Sequence, residues 1–187
     1  MKRILLAALL GGIAVFVWGA VSHMVLPLGE AGVKMLPNEA GVTSALGGAI
    51  HEPGVYLFPG MDMKDNSKEA QERWAAKYKQ GSTGMLVYHP GGEEFRWLPH
   101  LLIEFLSNVL GALLAAILLA RIAGGYGSRV LVTASLGLFA WISINISYWD
   151  WYGFPTHFVL LEGLDQVISW LIGGLVIAKL VKPPAAA

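Results

Sequence analysis

Leu101-Leu102-Ile103-Glu104-Phe105-Leu106-Ser107-Asn108-Val109-Leu110-Gly111-Ala112-Leu113-Leu114-Ala115-Ala116-Ile117-Leu118-Leu119-Ala120-Arg121-Ile122-Ala123 is the stretch that decides the fold. It holds one acid, Glu104, and one base, Arg121, near its far end. A bilayer core about 30 Å thick takes about 20 apolar residues to cross as a helix. Hydrocarbon offers backbone N–H and C=O groups no partner, so such a run closes its own hydrogen bonds as an α-helix. Three more runs have the same character, at residues 4–26, 130–148 and 157–181.

The whole chain agrees with this reading. Of 187 residues, 55% are hydrophobic and 14% charged, where a soluble domain carries about 25% charged. That excludes a disordered chain, a collagen, a coiled coil and a disulfide-stapled secreted domain. Thirteen basic and 13 acidic residues cancel. With no basic excess and no binding motif, nucleic acid is not an expected partner. There are no cysteines, which excludes thiol catalysis, Cys-ligated metal and covalently attached haem.

The expected fold is therefore an all-α membrane protein. Four transmembrane helices form a bundle of two repeated hairpins, with a small α+β extracytoplasmic insertion between helices 1 and 2. The expected divisions are residues 1–26 (first span), 27–99 (folded outer segment), 100–182 (spans two to four) and 183–187 (cytoplasmic tail). Lys2, Arg3, Arg121, Arg129, Lys179 and Lys182 all fall on one side, which places both termini in the cytoplasm. A bacterial inner membrane is the expected location. Met1-Lys2-Arg3 and Ala20-Val21-Ser22 resemble a leader's basic region and cleavage site, but the apolar run exceeds a usual leader core, so a retained span is expected.

The repeat is seen by laying the second span on the fourth. Glu104 falls on Glu162, Asn108 on Gln166, Ala115-Ala116 on Gly173-Gly174 and Arg121 on Lys179. Spans one and three align more loosely, Arg3, Ala8 and Gly11 falling on Arg129, Ala134 and Gly137.

Ionisable residues within spans are costly and usually face a bundle interior. Glu104, Asn108, Asn145, Glu162, Asp165 and Gln166 are thus the candidate ligand- or proton-binding residues, with Glu104 and Glu162 expected to oppose each other. His23, His100, Glu104 and His157 are the candidate metal ligands. His51, Glu52 and His89 form a weaker second candidate cluster. No catalytic constellation is legible: there is no His-Glu-x-x-His, no phosphate-binding glycine loop and no Ser-His-Asp order. Trp18, Trp97, Tyr148, Trp149, Trp151 and Tyr152 read as an aromatic belt.

The outer segment is too long to be structureless. A helix is expected to start at Leu36-Pro37-Asn38-Glu39. A second should be capped by Asn66-Ser67-Lys68-Glu69 and run to about Gln80, stopping at Gly81. Strands are expected at residues 54–59 and 84–90, with a possible third at 94–97. Three functions compete. The first is a subunit or accessory of a larger membrane assembly, with the bilayer and a protein partner or second copy as contacts. The second is a small cation- or proton-binding or transport protein using Glu104 and Glu162, and the third is a metal-dependent membrane enzyme.

Overall fold

The computed structural model describes residues 1–26, 28 and 32–184. Pro27, Gly29, Glu30 and Ala31 of the expected outer segment, and 185–187 of the expected tail, lie outside the described residues. The described residues form six helices and two strands, in the order α1 (Lys2–Met24), α2 (Glu39–Ala49), β1 (Gly54–Phe58), α3 (Lys68–Gln80), β2 (Gly84–Tyr88), α4 (Trp97–Leu119), α5 (Tyr126–Tyr152) and α6 (Thr156–Leu180). Two compact units result, one holding α1, α4, α5 and α6, the other spanning Met35–Glu94.

The four helices of the first unit are long and apolar enough to cross a membrane. Between 17% and 28% of each apolar window is buried against the protein. The remaining surface includes Leu110, Leu114, Leu131 and Phe139 at 61–70% exposure, which suits contact with lipid. α4 begins at Trp97, two residues before Pro99. Proline fits there because the first turn of a helix has no intrahelical use for its N–H.

α5 packs along α6, α1 packs on both α4 and α6, and α4 touches α6 more lightly. Ala7, Ala112, Ala115, Ala116, Leu119, Val130, Ile177, Ala178 and Val181 form the buried core. These residues come from the start of α1 and α5 and the end of α4 and α6, so the core sits at the end carrying the chain termini. Small residues let the backbones approach. A Cβ on Gly12 would lie 2.6 Å from Val109 Cα, and one on Gly174 would run into Thr133 Oγ1. Tryptophans fill the other notches: Trp170 lies against Gly111 and Gly137, and Trp141 against Gly163. Trp141 Nε1 also donates to the Val159 carbonyl at 2.7 Å.

The α5–α6 turn closes at Gly153, whose φ of 71° is a left-handed conformation that glycine adopts at no steric cost. Tyr148 stacks on Phe154 at 5.4 Å, and Trp149 Nε1 donates to Thr156 Oγ1 at 3.0 Å. The aromatic run 148–154 thus builds this turn.

In the second unit, β1 and β2 pair antiparallel, Tyr56 opposite Leu86. The expected third strand does not form. Residues 94–96 are irregular and Trp97 already belongs to α4. α3 ends at the expected residue and begins one residue later than a cap at Asn66 with Glu69 at N3 implies. Ser67 caps it by accepting from Ala70 N at 3.2 Å, and Gly81 follows its last residue. Asp65 Oδ1 accepts from Ser67 N at 3.1 Å. Hydrogen bonds from Ser67 and, secondarily, the Arg73 guanidinium hold the Asp65 carboxyl below its usual range. Trp74 Nε1 donates to the Pro59 carbonyl at 3.0 Å, tying α3 to the end of β1. No described residue of this unit is fully buried.

Candidate functional site

The polar residues of the first unit gather at the end away from the termini, along the seam where α1 meets α6. Trp18, half-buried on α1, donates its indole N–H to Asp165 Oδ1 at 2.8 Å. One turn further on, Ser22 is completely buried. Its hydroxyl lies 3.2 Å from the Gly19 carbonyl and 2.8 Å from His23 Nδ1. Glu162 lies half-buried one turn before Asp165 on α6. Spacing on the two helices produces this meeting: Trp18 and Ser22 are four apart, Glu162 and Asp165 three apart, so each pair shares a face.

Glu104 and Glu162, expected to oppose each other, sit in different settings, Glu104 exposed on α4 and Glu162 half-buried on α6, and no hydrogen bond joins them. The Glu104 carboxylate accepts from Asn108 Nδ2 at 3.2 Å, one turn along the same helix. Ser107, also exposed, donates back to the Glu104 carbonyl at 2.8 Å. The physical reason is packing: α4 lies against α1, with only light contact to α6, so a shared depth does not make a shared pocket. Asn145 and Gln166 are half-buried on α5 and α6. Neither side chain hydrogen-bonds to a described residue.

The candidate metal ligands are not assembled. Among the described residues, no three of His, Asp and Glu come together as a metal site. His100 stacks on Phe95 at 4.9 Å with the rings 8° from parallel. His23 is engaged with Ser22 and the Gly19 carbonyl, and the His157 ring lies near Gly32. The expected cluster of His51, Glu52 and His89 does not form either.

One polar residue has a role that its sequence position hides. Arg129, 2% exposed, sits in the first turns of α5 and points inward. Nη1 donates to the carbonyls of Ala178 at 3.3 Å and Val181 at 3.0 Å, and Nη2 to that of Leu119 at 3.1 Å. Those carbonyls finish α6 and α4, where intrahelical donors run out. Each helix end carries about half a negative charge, so two together offset one guanidinium without a carboxylate. Its Nε has no partner among the described residues. As a basic flanking residue Arg129 belongs to the expected cationic side; its side chain is a clamp on two helix ends. Trp18 was likewise legible only as a belt residue.

These contacts add ties between α1 and α6 and among α4, α5 and α6, and leave Glu104 and Ser107 exposed on α4. Among the described residues they bring no metal set to a common point. No protein-family model, curated protein or solved structure matches this chain.

Proposed function

We propose that this protein is a non-enzymatic subunit or accessory of a larger membrane assembly, and that the outward half of α4 is its contact surface. One observation carries the reading. Glu104 and Ser107, both exposed, and the half-buried Asn108 form a polar patch within a span. A carboxylate turned toward lipid is costly, and polar residues on membrane helices are satisfied by bonding to a neighbouring helix. Leu102, Ile103, Leu106 and Leu110 flank the patch at 50–67% exposure, giving a partner helix apolar contact around it.

The second unit adds support. Val55 and Leu57 on β1 and Val87 on β2 share one face of the sheet and are all more than half exposed, an apolar surface fit for a protein contact. Two carboxylates favour the subunit reading over ion transport, because Asp165 on α6 is already bonded to Trp18 and Glu104 on α4 to Asn108. We read the location as a bacterial inner membrane with cytoplasmic termini, on the strength of six basic residues at the termini end. We read the unit as a bundle of two repeated hairpins. Ala115, Ala116 and Leu119 on α4 and Gly173, Gly174 and Ile177 on α6, at equal spacing, are all buried.

The test is the mass of the full chain purified in mild detergent, with and without Glu104→Leu. The native chain should run with a partner or as more than one copy, and the variant as a folded monomer. A native chain that is a lone monomer overturns the proposal, and so does an assembly that survives Glu104→Leu unchanged.

A further inference from the structure

Where α1 begins and α6 finishes, the structure holds a cavity of about 340 Å³. Arg3 and Leu6 line it from α1, Lys179 and Leu180 from α6. The volume lies at the lower end of the range for small-molecule sites. Neither cation forms an ion pair with a described residue. None is within reach in sequence: residues 1–26, 105–149 and 166–184 contain no acid. Lys2 and Lys182 sit at the same end and add to its positive field. The site is therefore two uncompensated cations, on two packed helices, over apolar walls.

We propose that this cavity binds the phosphodiester headgroup of an anionic phospholipid. A phosphodiester offers two free oxygens and one charge. The Arg3 guanidinium supplies forked donation to phosphate oxygens, and the Lys179 ammonium a point charge. Leu6 and Leu180 then face the glycerol and the first methylenes of the acyl chains, which continue along the apolar surface of α1. Free phosphate has no use for those walls. A choline headgroup carries its own cation, which opposes Arg3 and Lys179. Basic pockets between membrane helices recognise anionic headgroups in this way, and each Lys or Arg near an anionic surface contributes about fivefold in affinity.

The experiment uses the full chain in mild detergent. Dioleoyl phosphatidylglycerol, dioleoyl phosphatidylcholine and inorganic phosphate are titrated in turn, with native mass spectrometry and the thermal midpoint as readouts. Phosphatidylglycerol should remain bound and raise the midpoint; the other two should do neither. Arg3→Gln with Lys179→Gln should weaken phosphatidylglycerol by about 25-fold. Lys2→Gln with Lys182→Gln removes the same charge from the same end and should cost less than about threefold. Leu6→Trp keeps both cations but fills the cavity, and should abolish binding. Three results overturn the proposal: equal losses in the two double variants, which means a diffuse field; undiminished binding in Leu6→Trp; or inorganic phosphate binding as tightly as the lipid, which makes this a free-anion site.

Discussion

The two ends of the four-helix unit solve the problem of polarity in opposite ways. At the termini end, backbones are close, Leu119 and Ile177 are fully buried, and Arg129, the one buried charge among the described residues, is held by three carbonyls. At the other end, α4 has no buried residue before Ala112, and α5 has none after Gly137. There polar groups remain on display, Glu104 among them, and α1 meets α6 through a hydrogen bond from Trp18 to Asp165. Six bases flanking the spans lie at the first end, while Arg96, which precedes α4, and all four acids of the spans lie at the second. The buried core therefore lies at the first end, where, among the described residues, Arg3 and Lys179 stand unpaired only on its surface, whereas the second end keeps Glu104 exposed within a helix.

The largest test of that contrast is Arg129→Met. Methionine fills much of the arginine's volume but donates nothing, leaving the carbonyls of Leu119, Ala178 and Val181 without their cation. Hydrogen bonds from charged donors contribute about 1.5–3 kcal/mol each, and partial relaxation reduces the sum, so a loss of about 3 kcal/mol is expected. The measurement is the unfolding midpoint in mild detergent. A loss below about 1 kcal/mol would show that the helix ends satisfy themselves, and the termini end would no longer differ in kind from the other.

A middle-sized effect comes from glycines at the two ends. Gly174→Ala places a methyl group against Thr133 Oγ1, with the Val130 carbonyl 3.2 Å away. Overpacking of this sort costs about 1–3 kcal/mol. Gly19 on α1 lies toward the other end and has nothing within 4 Å of its added Cβ. Gly19→Ala should be neutral or stabilise by about 0.5 kcal/mol through reduced chain entropy. Equal destabilisation by both would mean that close packing is not confined to the termini end.

Much of this fold was legible because hydropathy and length are local properties. All four spans begin and end within four residues of their expected limits, and α3 was marked by Ser67 and Gly81. Which helix face meets which neighbour is not local. Glu104 and Glu162 share a spacing, yet Glu104 is exposed on α4 while Glu162 is half-buried on α6, whose Asp165 meets Trp18 of α1. The apolar bilayer tolerates almost any rotation of an apolar helix, so the pattern constrains orientation weakly. Arg129 did leave a signal. A base in the first turns of a helix opposes that helix's own dipole, which makes sense once the ends of α4 and α6 arrive beside it.

The smallest predicted effect probes the open end. Trp18→Phe keeps an aromatic ring on the seam but removes the N–H, leaving the Asp165 carboxylate half-buried without its donor. Interhelical hydrogen bonds in membrane proteins contribute about 0.6 kcal/mol on average, up to about 1.7, and a charged acceptor favours the upper part of that range. A loss of about 1 kcal/mol is expected. Truncation also counts the cost of the stranded acid, so the pair should be measured as a cycle with Asp165→Leu. If Trp18 acts through Asp165, the double variant loses less than the two single variants added together, by about 1 kcal/mol. Additive losses would make Trp18 a packing residue only. The seam between α1 and α6 would then rest on packing such as that of Val15 against Gly173, and the contrast between the two ends would sharpen.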